Sequence, residues 1–592
     1  MRVREIRISG FKSIAFCAGL QPAAGGAGGV REGVQLEWDA TCFRLQLPAA
    51  TEPGRPLLYA IMGANSAGKS NILLALDTFF GPAVKLDAGF FNGKRSDQPL
   101  IIELTLEGSL PTHPTAWHAL NCLPADGPAV ACAGWRLTVA SVWRGDGRTR
   151  YIRRSDGLYY RQNQADRAQV ERLLPEFRAI WADRRLADEA SLERRSLLSD
   201  VLEAMLAQAA GEDSIIRRAA RLMAELQRLL ADRADPSLWA PVHALEASLA
   251  RGLAAVTPQR QAVRLRLERG LPTLPRLLAQ GAMSLDDGVE LDFAQHGLGV
   301  QRSFALAALN TWCEYRRDAQ RDYLFAVEEP EIYLHPHATR VLLNLLEKVA
   351  RHDQVVFTTH ASEFINRVPL GQIVTVRRQD QAGQVSSRAV HPDLQGIAPE
   401  EVAKVQRYLR EDRSDMLFAR AVLLVEGQAE YFALPAFART LGLDLDAGGV
   451  SIVFVNGIGN FAVYHRILAA FQIPHVILMD GDGQAPARRR QYAHLADALF
   501  VLEHDFEHLL VEALSHSRLL ALLNECLARR GRPAQTRLGD PRRRAAALAA
   551  LGKPLVGRVA GELLDADEVA AMPPLVNALR AVLQLGATCG PS

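Results

Sequence analysis

The chain has 592 residues, 48% hydrophobic and 23% charged, with 68 Lys and Arg against 66 Asp and Glu for a formal net charge of +2. That length accommodates roughly three or four domains, and the composition excludes wholesale disorder, collagen-like repeats and a small disulfide scaffold. A global field near zero leaves any nucleic-acid contact to local arginine clusters.

The seven cysteines (Cys17, Cys42, Cys122, Cys132, Cys313, Cys526, Cys589) are scattered and lack C-x-x-C spacing. This argues against a zinc site or a disulfide framework and for a reducing compartment. No apolar run approaches bilayer-spanning length, and Met1-Arg-Val-Arg-Glu5 has no signal-peptide core. The expectation is a cytoplasmic protein with no membrane partner.

In chain order, Val3–Ser9 alternates as a strand and leads into Gly10-Phe11-Lys12, and Ala23–Gly29 reads as a flexible loop. Leu57–Met62 is a short apolar strand running into a glycine-rich turn; Leu100–Leu106 and Trp135–Trp143 are strand-like as well. From Gln162 to Gly288, Leu, Ala and Arg recur at three- and four-residue spacing, which predicts a helical insertion. β/α alternation then resumes, with strands expected at Tyr323–Glu328 and Gln354–Thr359 and a helix after Pro336. The polar stretch Arg377–Gly396 reads as a connector. A second β/α series places strands at Ala421–Val425, Ser451–Val455 and His475–Met479.

Gly63-Ala-Asn65-Ser-Ala-Gly68-Lys69-Ser70 fits G-x-x-x-x-G-K-[ST] between an apolar strand and a helical run. In this motif glycines turn backbone amides toward phosphates, Lys69 reaches the β/γ-phosphates and the Ser70 hydroxyl ligates Mg²⁺. Hydrolysis also needs acidic residues, and Leu324-Phe-Ala-Val-Glu328-Glu329-Pro330 supplies them at a strand end: Glu328 for the metal, Glu329 as the water-activating base. His360, at the tip of a buried strand, is placed to hydrogen-bond a γ-phosphate.

The second constellation is acidic. Glu426 stands at the tip of an apolar strand, with Gly427 permitting a tight turn and Glu430 one helical turn on. Asp480-Gly-Asp482-Gly ends another apolar strand. Strand C-termini of a parallel β/α sheet share one edge, so these carboxylates can converge. Crowded carboxylates repel unless cations neutralise them. Two bound metals suit in-line attack on a phosphodiester.

The head pieces resemble the ABC-type ATPase heads of DNA-repair and chromosome-maintenance proteins. "IRISGFKSI" looks like their first strand, and Gly297-Leu-Gly299-Val-Gln301-Arg302-Ser303 occupies the place of the ABC signature, which in that family meets the γ-phosphate held by an opposite head. Glu331 and His335-Pro336 fit the block after the acidic pair, and His360 fits the switch histidine; Gln98 is the best Q-loop candidate. Glu328 stands where many ABC proteins carry Asp. The acidic constellation resembles a Toprim domain. An ABC head followed by Toprim is similar to the overcoming-lysogenization-defect (OLD) family of ATP-dependent nucleases, some of which act in phage defence.

The resemblance implies an α/β fold: an ABC-type P-loop ATPase domain with a helical insertion, followed by a Rossmann-like Toprim domain. It divides the chain into 1–160, a helical and dimerising insertion at 161–285, 286–400 and 415–592. It implies Glu426, Glu430, Asp480 and Asp482 as metal ligands, with Glu503 and Glu507 favoured over Asp505 in a further acidic block. Lys553 matches a lysine that stabilises transition-state charge. ATP, Mg²⁺ or Mn²⁺ (two ions in the Toprim site, one with ATP), DNA and a second copy of the chain are the implied cofactors and partners. Arg488–Arg490 and Arg542–Arg544 are candidate phosphate neutralisers. The alternatives are a topoisomerase- or primase-like Toprim enzyme and an ATP-switched, SMC-like DNA clamp without nuclease activity.

Overall fold

The structure is a computed structural model that describes residues 1–22, 33–49, 55–82, 86–108, 123–124, 135–144, 147–182, 284–286, 290–292, 295–301, 322–381, 384–408, 414–540 and 543–588, with scattered positions between 218 and 247 and at 307, 309 and 311. It divides into two compact units. One joins Met1–Ala179, Asp322–Pro330 and Ala350–Ser592; the other joins Ile180–Arg321 and Glu331–Val349.

The first unit carries three sheets. β1 (Arg2–Ser9), β2 (Ala18–Pro22), β3 (Val34–Trp38), β4 (Phe43–Gln46), β6 (Leu100–Gly108), β7 (Leu123–Pro124), β8 (Trp135–Arg144), β9 (Gly147–Arg153) and β10 (Tyr159–Arg161) make an antiparallel sheet ordered β2-β3-β10-β9-β8-β6-β1-β4, with β7 on β8. Ile6 and Ile8 of β1 alternate inward, a register shift between Val3 and Glu5 brings Val3 to the buried face as well, and Arg4 and Arg7 pair with Glu107 and Glu5.

The mixed sheet holds the phosphate loop. Its order is β11 (Glu176–Ile180), β14 (Tyr323–Val327), β15 (Gln354–Thr358), β5 (Leu57–Met62), β16 (Ile373–Gln381), β17 (Gln384–Val390). β14, β15, β5 and β16 are parallel, and β17 returns antiparallel. Every residue of β5 and β15 is buried, as expected of strands covered on both faces. α1 (Lys69–Phe80) follows β5, and α2 (Gln164–Leu173) is closed by an Asn163–Asp166 capping box.

The third sheet, ordered β19 (Val450–Phe454), β18 (Ala421–Val425), β20 (His475–Met479), β21 (Ala498–Val501), is all parallel. Around it lie α6 (Gln428–Thr440), α7 (Phe461–Ala470), α8 (Ala485–Tyr492), α9 (Phe506–Ala513), α10 (His516–Arg529), α11 (Arg544–Ala549), α12 (Lys553–Leu563), α13 (Ala566–Ala570) and α14 (Pro573–Thr588). Earlier in the chain are α3 (Pro336–Ala350), α4 (Ser362–Ile365) and α5 (Pro399–Tyr408). α12 lies hard against α6: a Cβ on Gly557 would come 2.1 Å from the Ala429 carbonyl oxygen. Gly557→Val is therefore expected to cost about 1–3 kcal/mol by overpacking, and thermal unfolding of the variant checks it.

Two expectations are corrected. The stretch expected to be helical to residue 288 contains β11 and β12 (Ser284–Asp286), which pairs as a hairpin with β13 (Glu290–Asp292) just beyond it. Pro175 ends α2 by forcing Leu174 to extended backbone (φ −65°, ψ 136°), and the chain continues as a strand. Between 183 and 283 only scattered helical positions are described. The expected connector Arg377–Gly396 is largely the β16–β17 hairpin, with Thr375 opposite Val390 and Gln381 opposite Gln384. Its polarity misled because the apolar run of β16, Ile373, Val374 and Val376, lies before it, and within it Ser387 and Val390 are buried while Arg378 and Arg388 are exposed. The loop expected at Ala23–Gly29 lies outside the described residues.

Candidate nucleotide and metal sites

β5 delivers the phosphate loop at its C-terminal end. Gly68, at φ +103°, caps α1, whose first turn has neither a capping side chain nor an acidic residue. The amides at this helix start therefore face the loop's concavity, where the helix dipole favours an anion. Lys69 is 5% exposed and donates to the Gly63 and Ala64 carbonyls at 2.9 and 3.0 Å. Asn65 and Ser70 are exposed at the mouth.

The wall behind the loop was not legible from sequence. Ser387 Oγ of β17 lies 2.7 Å from the Ala67 carbonyl oxygen and 2.8 Å from Ser13 Oγ, and Asn71 Nδ2 donates to Ser13 Oγ at 2.8 Å. A Cβ on Gly68 would come within 2.4 Å of Ser387 Oγ and 2.5 Å of Ser13 Oγ. Only glycine fits there, both sterically and by backbone angle.

Parallel pairing brings the residues expected to serve hydrolysis level with the loop. Val327 is opposite Phe357, and Thr358 is opposite Ile61. Glu328 is buried at 9% exposure. Glu329 has φ +38°; its amide donates to Thr358 Oγ1 at 3.1 Å and its Oε1 lies 3.2 Å from His360 Nε2. The acid expected to position water and the expected switch histidine thus touch. Gln98 sits in the turn before β6.

In the second unit, Gly297 to Gln301 opens a helical turn. Gln301 Nε2 donates to the His296 carbonyl at 2.7 Å, and a Cβ on Gly299 would come 3.0 Å from the Tyr333 carbonyl oxygen. Leu298, Val300 and Tyr333 are exposed. Arg302 lies outside the described residues.

The acidic residues gather at the tips of β18 and β20. Gly427 starts α6, so Glu430 in its first turn points back and is buried at 2% exposure. Glu426 Oε2 accepts the Asp480 amide at 3.2 Å. Asp480 is 4% exposed, and Lys553 Nζ at the start of α12 lies 3.8 Å from its Oδ2. Glu507, in the first turn of α9, is fully buried. Glu430 Oε2, Asp480 Oδ1 and both Glu507 oxygens have no hydrogen-bond partner among the described residues.

That crowding shows in the proton affinities. Burial, then the charges of Glu430 and Glu426, push the Asp480 carboxyl up to about 9. Burial, then Glu507 and Glu426 against the opposing pull of Lys553, push Glu430 up to about 7. Burial likewise raises Glu426 and Glu507. Burial alone would lower Lys553, but Glu507, Asp480, Glu430 and Asp505 outweigh it and raise it.

Two expected ligands point elsewhere. Asp482, at φ +46°, is exposed with Arg488 Nη2 3.3 Å away, and Glu503 is exposed with Arg489 3.8 Å away. Asp505, ranked behind Glu503 from sequence, caps α9 and holds His508 Nδ1 at 2.7 Å. Phe506 and Leu510 are buried on the face of α9 that carries Glu507, whereas Glu503 precedes the cap. That i, i+3 relation was the available signal. Among the described residues, no three His, Cys, Asp or Glu side chains are set around one point as metal ligands. The fit to a cation rests on the orphaned buried oxygens.

Residues 417–482 match the family described as overcoming lysogenization defect protein-like, TOPRIM domain, and residues 150–365 match an AAA ATPase domain family. The chain is 22% identical to the Old nuclease of Escherichia phage P2 over 445 residues, 72% of this chain and 73% of that one. The chain is thus similar to OLD nucleases over most of its length and to the OLD family in its Toprim region. It is also 28% identical to the OLD nuclease of Thermus scotoductus over 192 residues, 31% of this chain and 35% of that one. A solved structure, the C-terminal region of the Burkholderia pseudomallei OLD protein, is 26% identical and covers 28% of this chain and 99% of its own, with a TM-score of 0.24. The Toprim match takes in Glu426, Glu430, Asp480 and Asp482, and the ATPase match takes in Glu328, Glu329 and His360. Glu507, Lys553 and the phosphate loop lie outside both spans. No described helix is long and apolar enough to cross a membrane.

Proposed function

We propose that this chain is a divalent-metal-dependent DNA endonuclease whose Toprim site is regulated or assembled by its ATPase head. The buried carboxylates around Lys553, with orphaned oxygens on Glu430, Asp480 and Glu507, carry the reading, because carboxylates held so far from water need cations to be ionised together. Glu426, Glu430, Asp480 and Glu507 would hold Mg²⁺ or Mn²⁺, with Asp505 and Asp482 at the rim. Two such ions, when bound, supply charge neutralisation for in-line displacement at phosphorus. Lys553 directs its ammonium to the same point and offsets charge that develops on the phosphate oxygens. Arg488, Arg489 and Arg490 on α8 would supply positive charge to neutralise flanking phosphates.

In the head, Lys69 and Ser70 would hold ATP with one further ion, Glu328 would support that ion, and Glu329 would position water under the control of His360. Gly297, Gly299, Gln301 and Arg302 would complete the nucleotide site of a second copy, making the working form a cytoplasmic homodimer joined at the heads and the helical insertion. The two nuclease-named relatives support this reading.

Incubation of supercoiled plasmid with Mg²⁺ or Mn²⁺ tests it. Metal-dependent nicking or linearisation by the wild type and none by Glu426→Ala is the expected result. Relaxation without broken strands would point to a topoisomerase. Binding without cleavage under either metal would leave the clamp.

A further inference from the structure

We infer that Lys404 and Asn460 are positioning residues that tie the Glu426 turn of the Toprim site to the ATPase head. The inference rests on the proposed function for its purpose but not for its geometry. α5 spans the junction and is gripped at two points. Toward the head, Gln406 Nε2 donates to the Val368 carbonyl at 2.9 Å. Val368 follows α4, which begins two residues after His360. Toward the Toprim sheet, Lys404 Nζ donates to Asn460 Oδ1 at 2.8 Å. Glu401 adds an ion pair to Arg466 of α7.

Asn460 uses both ends of its amide. With Oδ1 taken by the ammonium, Nδ2 donates to the Val455 carbonyl at 2.8 Å and the Asn456 carbonyl at 3.1 Å. These bonds hold the turn after β19, where Asn456 sits at φ +61° and Gly457 at φ +112°. Unusual backbone of this kind persists only where its surroundings over-determine it. The Gly457 amide then donates to the Glu426 carbonyl at 3.3 Å, one residue beyond the Val455 amide bond to the Val425 carbonyl at 2.9 Å. A displacement of α5 therefore reaches Glu426, whose carboxylate is already engaged by the Asp480 amide. A second route runs beside it: α4 packs on the turn Ser414–Leu417, which leads into β18. The segment after the switch histidine and the turn carrying a candidate metal ligand are thus joined by hydrogen bonds at each step.

The role of each residue differs. Asn460 keeps its bonds to Val455 and Asn456 when Lys404 is replaced, so the turn survives but its link to the head does not. Loss of Asn460 releases the turn itself.

The test measures Mn²⁺ binding by full-length protein, with and without a non-hydrolysable ATP analogue, counting only the sites lost in Asp480→Ala. Nucleotide is expected to shift the wild-type affinity by about tenfold. Lys404→Met should keep the nucleotide-free affinity within about twofold and abolish the shift, while Lys404→Arg retains it. Asn460→Ala should weaken Mn²⁺ binding about tenfold in both nucleotide states, as loss of a ligand's supporting contact does. A wild type without a nucleotide-dependent shift, or a Lys404→Met protein that keeps it, overturns the inference. If the shift behaves as expected but plasmid is never cut, the nuclease reading fails and the linkage stands.

Discussion

Glutamine in place of Glu430 is expected to do two opposite things: remove divalent-metal binding at the Toprim cluster and raise the melting temperature of the metal-free protein. Glu430 is buried with an orphaned oxygen, and its folded-state pKa of about 7 exceeds that of an unfolded glutamate. A raised carboxyl favours the fold while protonated. Its contribution is complete below about pH 4.5 and is lost as pH rises through about 7. Asp480, pushed to about 9, extends that loss further into the alkaline range. Metal-free wild type should therefore melt progressively lower from pH 5 to pH 9, and Mg²⁺ should flatten the trend. Glu430→Gln never acquires the charge, so at pH 8 it avoids a loss of roughly 3 kcal/mol, or about 3 °C in a compact unit of this size. It also lacks the ligand, so metal affinity should fall on the order of a hundredfold. Calorimetric melting in chelator across pH and Mn²⁺ titration read the two effects separately. A variant that melts lower than wild type at pH 8 contradicts the assignment.

Lys69→Ala is expected to lower ATP hydrolysis at least about a hundredfold while leaving the fold intact, since its ammonium is the only contribution of this loop that can follow charge onto the β/γ-phosphates. Its ammonium donates to the Gly63 and Ala64 carbonyls, and thermal unfolding of the variant checks that the fold survives without these bonds. Some metal-dependent cleavage should remain, because the carboxylate cluster does not include Lys69. Glu329→Gln separates binding from chemistry in the same assay: nucleotide still binds, phosphate release slows, and the His360 contact becomes a neutral hydrogen bond. Phosphate release and fluorescent-nucleotide binding distinguish the two variants. Simultaneous loss of hydrolysis and all cleavage in a well-folded Lys69→Ala protein would mean that the cluster works only with nucleotide in the head.

Much of this architecture was legible because strands buried on both faces are written as unbroken apolar runs. Leu57–Met62, Ala421–Val425 and His475–Met479 have the boundaries their sequences imply. Glu426, Glu430 and Asp480 could be read as neighbours because parallel strand tips share an edge. The rest required tertiary information. Ser13 and Ser387 are ordinary polar residues more than 370 positions apart, and only the sheet order places them behind Gly68. The β16–β17 hairpin looked like a linker because its buried apolar run, Ile373 to Val376, precedes the polar stretch. Glu503 outranked Asp505 because all three acids of that block looked equivalent until the cap of α9 set which turned inward. The chemistry of Lys404 and Asn460 leaves no local pattern.

The position of β5 within its sheet has a consequence for how the protein is made. Its two neighbours, β15 and β16, begin at Gln354 and Ile373, whereas β5 ends at Met62. A ribosome adding roughly 5–20 residues per second needs on the order of 15–60 s to deliver them. Through that interval the antiparallel sheet, complete by Arg161, can close on itself, but an entirely apolar strand waits without an edge to join. The nascent chain therefore exposes an entirely apolar segment beside the phosphate loop. Chaperone demand during translation should be concentrated there, and nucleotide cannot aid folding until nearly two-thirds of the chain has been synthesised.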